Sequence, residues 1–285
     1  MKLKIIAICL AALSTQVVAK EQNININGMV GILETPDNQT SGNIVLIFHG
    51  FMGNKNDLQI KGTDEGVLER AASALSKNGI ASLRIDFRGS GDSEGEWENT
   101  TFSKQIKDGN EALQWIRTNT YYKPQSIGLL GWSQGGLIAS HVASSNPDIK
   151  AVTLWTPVTT PYLTYSKIMG TNVINEALVS EDDTIIEYKT QWGQIEHLKA
   201  EFFKEILSTQ GVAAISSYKM PLMVLTGKND DLVLTGSNHA WSRYHNGETK
   251  LVEFDSNHVW NAFDGPTVID NLVMPTTISW FNEKL

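Results

Sequence analysis

The feature that most limits the fold of this chain is a series of short, almost purely apolar runs separated by amphipathic stretches. Six of these runs have the length of a β-strand, at residues 43–48, 81–87, 126–130, 151–155, 222–225 and 250–254. Strands that are apolar on both faces are typical of parallel sheets with helices on each side. The pattern therefore predicts an α/β fold built on a mainly parallel, twisted sheet.

The stretches between these runs have the periodicity of helices. Four helices are predicted, at Val67–Lys77, Ser103–Thr118, Gly136–Ser144 and Val268–Glu283. Around the second, Phe102, Ile106 and Leu113 recur at helical spacing, whereas Lys104 and Lys107 fall on the opposite face. Alternation of strands and helices indicates βαβ units, with helices flanking the sheet.

One long stretch interrupts this alternation. Residues 157–217 contain no clear strand, but they carry aromatic, amide and acidic side chains. An excursion of this length inside a compact α/β domain is usually functional. We expect it to form a cap insertion over the carboxyl ends of the strands, within one domain that spans residues 20–285.

Residues 1–19 have the composition of an export signal. Two lysines precede an apolar run from residue 5 to residue 13, and the small or compact residues 17–19 offer a cleavage site before Lys20. The run is far shorter than the ~20 residues that span a bilayer, although a retained anchor is the alternative. We predict a cleaved signal peptide, a periplasmic or secreted location and no stable membrane insertion of the mature chain.

Charge and cysteine content exclude several partners and cofactors. The formal net charge is −8, and loss of Lys2 and Lys4 with the leader would make it −10, which argues against a nucleic-acid partner. The single cysteine, Cys9, lies in the leader, so the predicted mature chain has no thiol, disulfide or cysteine-based metal site. No His-Glu-x-x-His motif, phosphate-binding loop or dinucleotide fingerprint occurs in the sequence. We therefore predict no metal and no cofactor.

Two segments match the pattern Gly-x-Ser-x-Gly, which presents a serine at a sharp turn between a strand and a helix. Gly131–Gly135 follows an apolar run and precedes a helical stretch, whereas Gly91–Gly95 lies between polar, irregular segments. The turn needs both neighbours, because it holds the serine on a strained corner with its hydroxyl exposed. Ser133 is therefore the predicted nucleophile, and Ser93 is interpreted as a solvated loop residue.

With this motif the chain resembles the α/β-hydrolase superfamily over nearly all of the predicted mature sequence. Four more motifs occur in the superfamily's order: His49–Gly53 after a buried strand, Asp86–Gly95 after the next, Gly227–Val233 with the form Gly-x-x-Asp-x-x-Val, and Asp255–Trp260 after the last strand. The resemblance implies the α/β-hydrolase fold. Its His-Gly-Phe loop and Gly-x-Ser-Gln-Gly-Gly elbow are most similar to bacterial feruloyl/cinnamoyl-type carboxylesterases and, almost equally, to serine-aminopeptidase-like hydrolases.

The superfamily order of a catalytic triad, Ser…Asp…His, is met by Ser133, Asp230 and His258. His258 would take the proton of Ser133, and Asp230 would orient the imidazole and stabilise its charged form. Of the six histidines only His258 lies just after the last predicted strand. Asp231 competes as the acid, but the spacing within the Gly-x-x-Asp-x-x-Val motif favours Asp230.

Two backbone N–H groups are predicted to form the oxyanion hole for the tetrahedral intermediate. One belongs to Gln134, which follows the nucleophile, and the other to Phe51, in the loop after the first long strand. Flat apolar side chains are the candidate substrate contacts, namely Phe51, Trp132, Tyr162, Tyr165 and Trp192. The alternative for the aromatic residues of the cap is that they only hold the cap together.

These motifs lead to the hypothesis of an exported serine hydrolase that cleaves small-molecule carboxylic esters through an acyl-enzyme, with small or aromatic acyl groups as substrates. A peptidase, amidase or thioesterase is the alternative among enzymes, since the superfamily shares its catalytic machinery across many substrates. A non-catalytic binding protein on a hydrolase scaffold is the alternative of another class. The presence of all three triad residues argues against it.

Overall fold

The computed structural model describes residues 20–285, and the predicted signal peptide, residues 1–19, lies outside them. Eight strands form one sheet: β1 Lys20–Ile26, β2 Met29–Thr35, β3 Ser41–Phe48, β4 Ala81–Ile85, β5 Lys123–Trp132, β6 Ala151–Trp155, β9 Leu222–Gly227 and β10 Thr249–Phe254. Their order is β1-β2-β4-β3-β5-β6-β9-β10. The pairs β1–β2 and β2–β4 are antiparallel, and the other neighbours are parallel. The prediction of a mainly parallel sheet is confirmed.

Helices cover both faces of the sheet. On one face lie α1 Val67–Lys77 and α9 Met274–Lys284, which follows a π-helical turn at Ile269–Val273. On the other lie α2 Phe102–Thr118, α3 Gln134–Ser144 and the short α8 His239–Tyr244. Strand β3 serves both layers, since Val45 and Ile47 pack toward the first layer and Leu46 toward the second. Successive strand residues point to opposite faces, so an uninterrupted apolar run suits this position. Among residues 20–285, no helix is long and apolar enough to cross a membrane.

The apolar runs do not include β1 and β2, which form an antiparallel hairpin at one edge of the sheet. Asn27 and Gly28 make its two-residue turn, with φ of 52° and 86°. In β1 only Ile24 and Ile26 are buried, and polar residues alternate with them. A strand with one solvated face alternates in this way, and a search for continuous apolar runs therefore misses it.

Six elements between β6 and β9 make up the stretch that interrupts the alternation: α4 Pro161–Met169, α5 Thr171–Leu178, β7 Ile185–Lys189, β8 Ile195–Lys199, α6 Ala200–Ser208 and α7 Gly211–Ile215. The expectation of a stretch without strands is wrong, because β7 and β8 pair as an antiparallel hairpin. Strand β7 buries Ile186 and Tyr188 and exposes the alternate residues, Ile185, Glu187 and Lys189. Helix α7 packs on α3, where Gly211 meets Leu137, and therefore belongs to the helical layer rather than to the cap.

Candidate active site

Ser133 occupies the sharp turn between β5 and α3. Its backbone has φ 55° and ψ −116°, a conformation that side chains other than glycine rarely adopt. The flanking glycines make the turn possible: a Cβ on Gly131 would collide with the carbonyl oxygen of Gly135, and a Cβ on Gly135 with that of Phe48. The Ser133 N–H donates to the carbonyl oxygen of Trp155 on β6 at 2.8 Å. The local sequence therefore holds this one serine in a strained position at the carboxyl end of the sheet.

The structure brings Ser133, His258 and Asp230 together in one hydrogen-bonded chain. His258 Nε2 lies 3.0 Å from Ser133 Oγ, and His258 Nδ1 lies 2.8 Å from Asp230 Oδ2. The other oxygen of Asp230 accepts hydrogen bonds from the N–H groups of Leu232 and Val233 at 2.9 and 2.8 Å. Asp230 and His258 are both buried. Their geometry is that of a serine activated by an imidazole whose ring is oriented by a carboxylate.

Two residues without a predicted role, Thr156 and Asn257, stabilise the backbone beside His258. Trp132 Nε1 donates to Thr156 Oγ1 at 3.1 Å, and the Thr156 hydroxyl donates to the carbonyl oxygen of His258 at 3.2 Å. On the other side, Asn257 Oδ1 accepts the N–H groups of Val259 and Asn261 at 3.1 and 2.8 Å. The histidine loop is thus tied to the ends of β5 and β6, which carry the nucleophile. No pattern in the sequence singles out Thr156 for this role.

The loop after β3 approaches Ser133 as a tight turn. Gly53 N–H donates to the carbonyl oxygen of Gly50 at 3.2 Å, and Met52 has a φ of 58°. A Cβ on Gly50 would lie 3.4 Å from Cβ of Ser133, so the turn sits directly beside the nucleophile. Within residues 20–285, neither the Phe51 N–H nor the Gln134 N–H donates to a backbone carbonyl. Both predicted donors are therefore available to a ligand oxygen.

Buried polar contacts of Lys55 and His49 stabilise this turn. Lys55 Nζ lies 2.7 Å from Asp86 Oδ2, and its backbone N–H donates to Asp86 Oδ1 at 2.6 Å. His49 Nδ1 lies 2.8 Å from the carbonyl oxygen of Gly50, and the Phe87 N–H donates to His49 Nε2 at 3.2 Å. Burial lowers the pKa of His49, which favours the neutral ring that this pattern requires. His49 is thus a structural residue of the turn, as its position before the turn suggests.

The side chain of Gln134 is already engaged. Its Nε2 donates to Oε1 of Gln105 on α2 at 2.6 Å, and its own Oε1 accepts the hydroxyl of Tyr165 on α4. All three side chains are buried. The Gln134 side chain therefore links α3 to α2 and to the cap, and only its backbone N–H is left for a ligand.

Ser133 and His258 open onto a cavity of about 590 Å³ between the sheet and the cap. Its lining is largely apolar and comes from the turn after β3, from β5 and the cap, and from the loops after β9 and β10: Gly50, Phe51, Met52, Asp57, Leu58, Trp132, Ser133, Ile168, Gln191, Trp192, Gln194, Asp231, Leu232, Asn257, His258, Val259 and Phe263. Three predicted substrate contacts, Phe51, Trp132 and Trp192, are among these residues. The volume and the apolar walls suit one small organic molecule.

Two predicted substrate contacts do not line this cavity. Tyr165 is fully buried beneath it, where its ring packs against Phe51, Phe102 and Phe202 at centroid distances of 5.4 to 5.6 Å. Tyr162 packs on the same core. Ile168, three residues further along the same face of α4, belongs to that core and also reaches the cavity. The alternative that these aromatic residues hold the cap together therefore applies to Tyr162 and Tyr165.

Ser93 lies in a loop after β4, as predicted, but its hydroxyl is not simply solvated. It accepts the Val30 N–H at 2.8 Å and donates to the carbonyl oxygen of Asp86 at 2.7 Å. These bonds tie the loop to β2. The second Gly-x-Ser-x-Gly segment is thus a structural feature, far from a strand-to-helix turn.

One acidic group in the cavity wall was not anticipated. Asp57 packs inside the turn after β3, where its carboxylate contacts Gly53. Burial, together with the nearby charge of Asp86, raises the pKa of Asp57 from its ordinary value near 3.8 to about 7, and the Gly50 N–H offsets part of this shift. The charged form of Asp57 is thus unfavourable in the folded protein and becomes the main form only above about pH 7.

This charge predicts a pH-dependent stability. Because the pKa of Asp57 is raised in the folded state, its protonated form stabilises the fold at low pH, and that contribution is lost as the pH rises through about 7. We expect Asp57→Asn to increase the free energy of unfolding at about pH 8 by a few kcal/mol at most, and by less as the pH falls. Urea unfolding of both proteins across this range measures the difference. Asp183→Asn, on the exposed surface of the cap, is the matched control; equal stability of the Asp57 variant and its parent at about pH 8 would contradict the assignment.

The architecture of residues 20–285 is the α/β-hydrolase fold. A family model described as alpha/beta hydrolase fold matches residues 43–175, which include the turn after β3 and the nucleophile's turn. The chain thus has the α/β-hydrolase fold, as the resemblance of its motifs implied.

Relatives by sequence are partial matches. An uncharacterised 31.7 kDa protein of Escherichia coli, from the traX-finO intergenic region, is 26% identical over 125 residues, 44% of this chain and 41% of that protein. An uncharacterised protein of Rickettsia prowazekii is 30% identical over 165 residues, which are 55% of this chain and 63% of that protein. The thiohydrolase AneE of Aspergillus aculeatus is 30% identical over 115 residues, which are 40% of this chain and 33% of AneE. The chain thus spans less than two thirds of the length of each of these proteins.

Solved structures match over nearly the whole chain. The esterase Est1E from Butyrivibrio proteoclasticus, solved with ferulic acid bound, has a TM-score of 0.70 at 20% identity and covers 92% of this chain and 98% of its own. An esterase of Pyrococcus furiosus has a TM-score of 0.67 at 20% identity, and the match covers 94% of this chain and 91% of the esterase. The mouse alpha/beta hydrolase domain-containing protein 10 has a TM-score of 0.69 at 16% identity, and the match covers 93% of this chain and 99% of the mouse protein. These likenesses concern the fold.

Proposed function

We propose that this protein is an exported serine hydrolase that cleaves small carboxylic esters with Ser133, His258 and Asp230 as its catalytic triad. The observation that carries the proposal is the hydrogen-bonded chain of these three side chains at the floor of an apolar cavity. The composition of residues 1–19 supports export to the periplasm or beyond.

In the first half of the reaction, Ser133 Oγ attacks the acyl carbon of the ester while His258 Nε2 accepts the hydroxyl proton. The tetrahedral intermediate collapses as the carbon–oxygen bond to the leaving alcohol breaks, and His258 returns the proton to that alcohol. Asp230 holds the Nδ1–H tautomer of His258 and stabilises the imidazolium. In the second half, a water molecule attacks the acyl carbon while His258 Nε2 accepts its proton. The bond to Ser133 Oγ then breaks, the acid is released, and His258 returns the proton to Ser133 Oγ.

The N–H groups of Phe51 and Gln134 are the proposed donors to the oxyanion. Each is a backbone group on a turn that packed neighbours hold rigid, so little reorganisation is needed when charge develops. Each turn also contains a residue with a strained, positive φ, Met52 in the first and Ser133 in the second. For this reason we assign transition-state stabilisation to the two turns rather than to any side chain of the cavity.

The proposed substrates are esters with compact or aromatic acyl groups. A cavity of about 590 Å³ with Phe51, Trp132 and Trp192 in its wall suits a flat, apolar group, and it is short for a long fatty chain. The ferulic acid bound to Est1E lies in a protein of the same fold. Thioesters are a second candidate class, which the partial similarity to a thiohydrolase supports.

A substrate panel on the purified mature chain tests this proposal. It compares methyl hydroxycinnamates, short aliphatic esters, matched thioesters and long-chain esters by kcat/KM. We expect the compact and aromatic esters to be hydrolysed and the long-chain esters to be poor substrates. Long-chain esters as the best substrates would contradict the proposed substrate class, and no hydrolysis of any ester or thioester would contradict the proposed function.

Substitution of Trp192 gives a sharper prediction about the cap. Trp192 lines the cavity, and half of its surface is exposed, so Trp192→Ala removes an aromatic wall without opening the core. We expect kcat/KM for hydroxycinnamate esters to fall about tenfold, mainly through KM, with a smaller change for short aliphatic esters. Tyr162→Ala, in the same cap but outside the cavity lining, is the control that should keep the parent's preference. If both variants keep it, Trp192 does not contact the acyl group.

A further inference from the structure

The charged groups in the wall of the active-site cavity have one sign. Of the described residues that line it, Asp57 and Asp231 are carboxylates and none is a lysine or an arginine. The remaining polar side chains are neutral amides, the serine hydroxyl and the imidazole of His258. A recess with low-dielectric walls focuses the field of such charges. The potential inside it therefore favours a positive group.

Asp57 has no cationic partner within residues 20–285. The nearest lysine in the sequence, Lys55, pairs with Asp86 and Asp92 instead. Carboxylates removed from water are usually paired or hydrogen-bonded, because an isolated charge is costly there. Asp57 receives the Gly50 N–H but, among the described residues, pairs with no opposite charge; the residue is half-buried and lines the cavity that holds Ser133. A positive group on a bound molecule would supply the missing partner.

Aromatic rings accompany these carboxylates. Trp132 and Phe51 lie in the cavity wall, and Trp192 and Phe263, which are 50% and 60% exposed, belong to the same lining. The faces of such rings attract cations as well as apolar groups. A quaternary ammonium group suits this combination, since it is bulky, apolar at its surface and permanently charged.

We propose that the cavity selects compact esters that carry a positively charged group, and that Asp57 is the residue that recognises this charge. The proposal rests on the proposed ester hydrolysis and adds a substrate class to it. It excludes esters with an anionic group near the reacting carbonyl as good substrates.

The selectivity should depend on pH. The pKa of Asp57 is raised to about 7 by burial and by Asp86, so its charge appears as the pH rises through neutrality. The other ionisable groups around it are Asp86 after β4, Lys55 in its own loop, His49 after β3 and, across the cavity, His258 and Asp231. The proposed triad acts on charged and neutral esters alike. The ratio of the two rates therefore reports the charge of the recognition group.

Two pairs of isosteric substrates measure that ratio. The first pair, choline butyrate and 3,3-dimethylbutyl butyrate, places the charge on the alcohol. The second pair, the p-nitrophenyl esters of 4-trimethylammoniobutanoate and 5,5-dimethylhexanoate, places it on the acyl group. In each pair the shape is the same and only the charge differs. We expect kcat/KM to favour the cation roughly tenfold or more in at least one pair at about pH 8, and by less at about pH 6.

Variants assign the effect to a residue. Asp57→Asn should abolish most of the preference and its pH dependence, while Asp183→Asn, which removes the same charge from the exposed surface of the cap, should keep both. A ratio near one in both substrate pairs, or a ratio unchanged in the Asp57 variant, would overturn the proposal. Hydrolysis of the neutral esters is measured in the same experiment, so failure of the charge preference is distinguishable from failure of ester hydrolysis itself.

Discussion

Ser133→Ala is expected to reduce ester hydrolysis by about 10⁶ in turnover while leaving the fold intact, because the loss of a triad nucleophile typically has an effect of that size. The serine is the residue whose hydroxyl lies 3.0 Å from His258 Nε2, and its methyl replacement fits the same turn. Steady-state kinetics with circular dichroism on the same preparation measures both properties.

Ser93→Ala is the matched control, since Ser93 lies in the second Gly-x-Ser-x-Gly segment. Loss of its two backbone hydrogen bonds should lower the free energy of unfolding by about 1–3 kcal/mol. Turnover per folded molecule should stay close to that of the parent. Equal losses of activity in the two variants, or a larger loss in the Ser93 variant, would refute the assignment of Ser133.

Asp230→Asn is expected to lower turnover by about 10⁴, the size of effect seen when an amide replaces a triad carboxylate and favours the wrong histidine tautomer. Asp230 Oδ1 already accepts two backbone N–H groups, so an asparagine there would direct its NH₂ at His258 Nδ1. Two donors would then face each other. The loss should appear in kcat rather than in KM.

Two neighbouring aspartates provide controls for this substitution. Asp231 lies at the cavity wall, and Asp255 accepts a hydrogen bond from Asn229 at the surface. Neither contacts His258, so Asp231→Asn and Asp255→Asn should each have far smaller effects on kcat. Collapse of turnover in the Asp231 variant, with near-normal turnover in the Asp230 variant, would reverse the assignment of the acid.

The sheet and the sharp turn at Ser133 could be predicted because their requirements are local. Strands buried on both faces appear as apolar runs, and the nucleophile's turn needs glycines at positions 131 and 135 whatever surrounds it. The order of the motifs then supplied the acid and the histidine, and the structure brings them within hydrogen-bonding distance of each other. The two hairpins, β1–β2 and β7–β8, were missed because each includes a strand that alternates buried and exposed residues, although Asn27-Gly28 is a strong turn signal for the first.

The walls of the cavity could not be predicted in the same way, because they depend on how the cap packs. Tyr165 and Trp192 are both aromatic residues of the cap, but one is fully buried beneath the cavity and the other is half exposed at its wall. Which side chain points where follows from the docking of α4 and the β7–β8 hairpin. Asp57 was missed for a related reason, since only the tertiary turn after β3 encloses its carboxylate.

Labelling with a fluorophosphonate probe tests the central claim most directly, since the probe forms a covalent bond only with a serine activated as a nucleophile. We predict a single adduct on the peptide that contains Ser133 when the folded wild-type chain is digested and analysed by mass spectrometry, and no such adduct after denaturation or in His258→Ala. A folded wild-type chain that stays unlabelled, or an adduct on Ser93 or another serine, would contradict the account.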